Sequence, residues 1–101
     1  MSGTIQTGTA QPVGNRPVLA LSYSNSQCLV IRANSHSVYA SYSEQGLEHE
    51  NTRFTIRFES TDGMKIPFVK PSSGTIFFAS THNSQDATLS MWSFDCNHGD
   101  Y

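Results

Sequence analysis

Charge is scarce in this sequence: Asp, Glu, Lys and Arg make up 14% of its 101 residues, and the formal net charge is -2. A nucleic-acid backbone or an anionic membrane surface is held by a basic field, and a chain so poor in cations offers none. Long apolar runs are missing too. None approaches the roughly 20 residues a helical membrane span needs, and the N-terminus has neither the basic segment nor the apolar segment of a secretory leader. The expectation is a chain that neither spans a membrane nor follows that export route. No Asn is followed two positions on by Ser or Thr, so the sequence has no acceptor for N-glycosylation.

Catalytic signatures are equally sparse. There is no Gly-x-Ser-x-Gly elbow, no Cys-x-x-Cys pair and no glycine-rich phosphate loop. The two cysteines, Cys28 and Cys96, would close a loop worth roughly 4 kcal/mol if bonded. Without an export leader, two unpaired thiols are the simpler expectation. An immunoglobulin arrangement fits them poorly, because Trp92 lies close to the second Cys and Phe94 stands where that fold has its corner Tyr. The tail Cys96-Asn97-His98-Gly99-Asp100 alternates potential ligands, and His82 could join them, but the spacing is not that of a zinc site. No metal or cofactor is expected.

What is present is β-type sequence. Thr52 to Glu59 alternates strictly, with Phe54, Ile56 and Phe58 on one side and Arg53, Thr55, Arg57 and Glu59 on the other, the period of a half-buried strand. Similar short runs recur at Val18 to Tyr23, Gln27 to Ala33, Val38 to Tyr42, Met64 to Lys70, Thr75 to Ser80 and Thr88 to Asp95, separated by turn-forming clusters. No helical window and no internal repeat interrupts them. About seven short strands with regular turns predict a single small antiparallel β-sandwich, immunoglobulin-like or jelly-roll-like, over residues 18–101. Residues 1–17 are polar, with only Ile5 and Val13 as apolar anchors, and read as an extended N-terminal arm.

Turn chemistry suggests registers for the central strands. A three-residue loop Thr61-Asp62-Gly63, with Gly63 left-handed, pairs Phe58 with Ile66, Ile56 with Phe68 and Glu59 with Lys65. A four-residue turn Pro71-Ser72-Ser73-Gly74 then sets Pro67 opposite Phe78 and Val69 opposite Ile76. In that register Pro67, Val69, Ile76 and Phe78 form an apolar patch on the outer face, a candidate interface unless a loop or the arm of the same chain covers it. Arg53 and Arg57, with Tyr39 as the exposed aromatic of its strand, form a candidate polar binding face.

The acidic loop Glu44 to Glu50 concentrates three carboxylates around His49. Such a cluster can tune a general acid or base, or it can be a hydrated loop. No nucleophile or oxyanion donor completes it, and no catalytic residue is assigned. The first functional reading is therefore a non-enzymatic module acting through protein contacts, with itself or with a partner: an assembly subunit of a virion or surface structure, or a small partner-binding inhibitor. The alternatives are a small hydrolytic enzyme using His49 with Glu48 or Glu50 and His36, which requires those groups to converge, and a carbohydrate-binding module, which requires exposed coplanar aromatics.

Overall fold

The computed structural model describes residues 3–23, 27–58, 64–66 and 74–95. Eight strands lie among the described residues: β1 (Gly3–Ala10), β2 (Leu19–Tyr23), β3 (Gln27–Ala33), β4 (Val38–Ser41), β5 (Phe54–Ile56), β6 (Met64–Ile66), β7 (Gly74–Ser80) and β8 (Ala87–Asp95). They form two antiparallel sheets, ordered β1-β8-β3-β6 and β2-β7-β4-β5. The first strand pairs with the last, the second with the seventh, the third with the sixth and the fourth with the fifth, as if one long hairpin had been rolled up. That order is the eight-stranded jelly roll rather than the immunoglobulin sandwich.

Alternation explains why these segments fold this way. Leu29 and Ile31 of β3, Val38 and Ala40 of β4, Ile76 and Phe78 of β7, and Leu89 and Met91 of β8 all point between the sheets and are buried. Their intervening neighbours face outward, as a strand period of two requires. The inner faces pack as one apolar core, closed by Ile56 from β5 and Leu21 from β2.

The eighth strand comes from the segment read as an arm. Gly3 to Ala10 pairs with Phe94 to Ala87 along its whole length, so its N-terminal part is a sheet edge and Ala10 is buried. Its inward positions are Gln6, Gly8 and Ala10, too small or polar to leave an apolar period. Gly8 is needed for its lack of a side chain: a Cβ there would lie 2.7 Å from Leu19 of the opposite sheet. Gln6 spans the sandwich edge and donates from Nε2 to the Ser22 carbonyl at 2.7 Å. The remainder, residues 11–18, crosses between the sheets through a tight turn, in which the Asn15 N–H donates to the Pro12 carbonyl at 3.1 Å. Gly14 takes the positive φ of 93° that this turn requires.

The expected central hairpins do not form. Ile56 of β5 lies opposite Val38 of β4, whereas Ile66 of β6 lies opposite Leu29 of β3 in the other sheet, so Phe58 is not the partner of Ile66. The chain changes sheets between β5 and β6. Phe58 instead donates its N–H to Ser37 Oγ at 3.1 Å. Gly63, Pro67, Phe68, Val69 and the Pro71-Ser72-Ser73 turn lie outside the described residues.

The phase of β7 is opposite to that of the expected patch. Phe78 lies opposite Leu19 and Ala40, Ile76 lies opposite Leu21, and both are core. An interface built on Ile76 and Phe78 is thereby excluded. The misreading came from assuming that sequence neighbours pair, since a shift of one residue exchanges inner and outer faces. Phe77 and Ala79 carry the outer face instead.

Candidate interaction surfaces

The acidic loop packs over part of the outer face of the β2-β7-β4-β5 sheet, at Ser41 and Ala79. That segment folds as two 3-10 turns, Gln45–Glu48 and Glu50–Thr52. Leu47, the apolar residue of the first turn, is buried to 2% exposure and lines a cavity of about 10 Å³ with Val18 and Ala79. Ser41 Oγ donates to the Thr52 carbonyl at 2.9 Å, Thr52 Oγ1 to the Gly46 carbonyl at 2.9 Å, and an Arg53 guanidinium N–H to the Leu47 carbonyl at 2.8 Å. Outside, Arg16 faces Glu44 at 3.2 Å and Glu48 at 3.6 Å. The carboxylates thus face a cation and solvent, while the loop's apolar side serves as a lid.

The candidate polar face is partly assembled. Tyr39 lies outward on β4, and the Arg53 guanidinium stacks 3.8 Å above its ring centroid, a cation–π contact held by the carbonyl of Leu47. Both line an open hollow of about 270 Å³ together with Pro12, Val13, Thr81 and His82. Arg57 is exposed just beyond β5 and does not line the hollow. With its ring face under the guanidinium, Tyr39 is not a free platform for a sugar.

The histidines are not arranged as the alternative hydrolytic reading requires. His36, in the turn before β4, packs against His82 with ring centroids 5.3 Å apart, and His82 Nδ1 accepts from the Ser84 N–H at 3.1 Å. His49 is exposed in the acidic loop, which follows the other end of β4. The convergence of His36, His49 and a carboxylate that a hydrolytic site would need is not present. Among the described residues no three His, Cys, Asp or Glu side chains approach closely enough to hold a metal. The side chain of Cys28, and the whole of Cys96, His98 and Asp100, lie outside the described residues.

The outer face of the other sheet carries a row of apolar side chains. Opposite residues in adjacent strands share a face, so the β1–β8 register places Gly3, Ile5, Thr7 and Thr9 outward beside Phe94, Trp92, Ser90 and Thr88. Val30 of β3 is opposite Trp92 on its other side. Trp92 and Phe94 stack with centroids 4.4 Å apart. The indole leans toward the β1 end, where a Cβ on Gly3 would strike its Nε1. Phe94 is buried, Trp92 and Val30 are half-buried, and Ile5 is 70% exposed. Sequence reasoning missed Ile5 because its strand was read as an arm. The alternation Gly3, Ile5, Thr7, Thr9 was its only signal.

At one end of the sandwich, burial pushes the Tyr23 phenol above its usual range. Tyr42 is pushed up to about 12, by burial and then by the neighbouring Tyr23. Its ring lies 6.2 Å from that of Phe54. No described helix is long and apolar enough to cross a membrane. Compared with known proteins, the chain matches no family model, no curated protein and no solved structure.

Proposed function

We propose that this protein is a non-enzymatic module that works through protein contacts, as a subunit of an assembly. The observation that carries this reading is the Ile5–Trp92–Val30 stripe on the outer face of the β1-β8-β3-β6 sheet, where a large aliphatic side chain stands 70% exposed beside a half-buried indole. A single exposed hydrophobe is ordinary, but one contiguous with an aromatic pair forms the kind of surface that partners cover. Covering Ile5 alone would contribute roughly 1.5–3 kcal/mol before the costs of association. The jelly roll is a fold used by capsid subunits, among others, which agrees with this reading without establishing it.

Trp92 is the sole tryptophan, so its emission reports on the stripe directly. Sedimentation velocity and Trp92 fluorescence over a concentration series are expected to show association together with a blue shift. Ile5→Asp should abolish both while circular dichroism stays native, since Ile5 makes no part of the core. Emission that stays constant with concentration, in a chain sedimenting as a monomer throughout, would remove the reading.

A further inference from the structure

We infer that the partner is a second copy of this chain, joined through β1 to β1 in antiparallel register about a two-fold axis through Thr7, so that two four-stranded sheets become one. This inference rests on the protein-contact reading above and names the partner, which adds to the edge of the sheet beside Ile5 and not to the outer face of the stripe. Among the described residues there are four edge strands, and they are unequal. Both β5 and β6 are three residues long, and β5 is flanked by Arg53 and Arg57. β2 is five residues long, against eight for β1. Short length, charge and proline are the usual ways in which an edge is protected from another strand.

β1 has none of these protections. It is eight residues long, GTIQTGTA, with no charge and no proline. Among the described residues its backbone bonds only to β8, so alternate N–H and C=O groups along the other side are open to a partner strand. A strand added there gains main-chain bonds along its whole length.

A second copy is favoured over a charged peptide because the segment is neutral and self-complementary. Antiparallel pairing about a two-fold axis sets residues of equal parity opposite each other, which leaves Gln6 or Thr7 as the central choices. With Thr7 at the centre, Ile5 meets Thr9, Thr7 meets Thr7, and Thr9 meets Ile5 on the outer face, a row of β-branched pairs. On the inner face Gln6 then meets Gly8, which has no side chain to crowd it. With Gln6 at the centre, two Gln6 side chains, each already committed to a Ser22 carbonyl, would crowd together. Either register brings both Ile5–Trp92 stripes onto one continuous face.

Complementary charge tests this arrangement on the full chain. Thr7 is exposed, so Thr7→Lys and Thr7→Glu should fold normally, and each alone should dimerise at least about tenfold more weakly, because like charges face each other. Mixing the two variants should restore association, and Thr7→Val should dimerise like the wild type. Amide exchange should slow at alternate positions of β1 as concentration rises. A wild-type dimer that Thr7→Lys leaves unchanged would overturn the β1 pairing and leave the protein-contact reading standing. Variants that weaken association but are not rescued by mixing would overturn the Thr7 register. A wild type that remains monomeric at every concentration would remove both.

Discussion

The two sheets meet the same problem on their outer faces and treat it differently. On the β2-β7-β4-β5 sheet, Phe77 and Ala79 face outward, and the chain folds its own 3-10 turns over that side, sinking Leu47 beside Ala79. On the β1-β8-β3-β6 sheet, Ile5, Trp92 and Val30 also face outward, yet Ile5 stands clear of the chain. The contrast separates apolar surface used for folding from apolar surface left over. Leu47 was placed among acidic residues and Ile5 among polar ones, so neither residue's sequence context distinguishes lid from patch. The fold does, because among the described residues only one of the two faces has a loop folded over it.

Substitutions can break or sharpen this contrast, and the largest effect belongs to the wall both faces share. Phe78→Asp would bury an unpaired carboxylate in the core and should leave the chain unfolded by circular dichroism. Next comes the lid: Leu47→Ala should cost about 2–4 kcal/mol in urea unfolding, whereas Ile5→Ala should change stability by less than about 0.5 kcal/mol. Equal effects at the two positions would erase the distinction. Gly46→Ala tests the lid's closeness to the sheet, since the added Cβ would strike Ser41 Oγ and lie 2.8 Å from Ser43 Oγ; a loss of about 1–3 kcal/mol is expected.

Arg16→Ala removes the cation from the outside of the lid. Because the pair is exposed, stability should fall by less than about 1 kcal/mol, and the difference should shrink in high salt. Tyr42 should give the mildest signature, visible only in alkali. Its folded pKa of about 12 lies above the ordinary phenol value of 10.0, so the native state holds the phenolic proton more tightly. Stability should be flat below pH 10 and decline between there and pH 12, and Tyr42→Phe should flatten the decline.

Much of the fold was legible in the sequence because it is written in alternation. The β3 boundaries Gln27 to Ala33 agree with the expected run, and Tyr39 does face outward, although it is half-buried beneath Arg53 rather than exposed. Alternation is silent about partners, however. It could not show that β5 pairs with β4 while β6 pairs with β3, and one assumed hairpin was enough to put Ile76 and Phe78 on the wrong side. β1 escaped for another reason: its inward residues include Gly8, whose role is to make room for Leu19 and which therefore leaves no apolar mark. Of the candidate sites, Arg53 and Tyr39 do meet, but their contact closes through the Leu47 carbonyl, a backbone group no sequence pattern announces.

The pairing of β1 with β8 has a consequence for how the protein is made. Ala10 is joined to the growing chain long before its partner Ala87, an interval of roughly 4 to 15 s at ordinary rates of synthesis. Until then β1 has two open edges instead of one, and every nascent chain on the same message presents the same neutral, proline-free strand. Crowded polysomes are therefore where this segment is most exposed to a wrong neighbour, and slower translation before β8 should raise the yield of insoluble product.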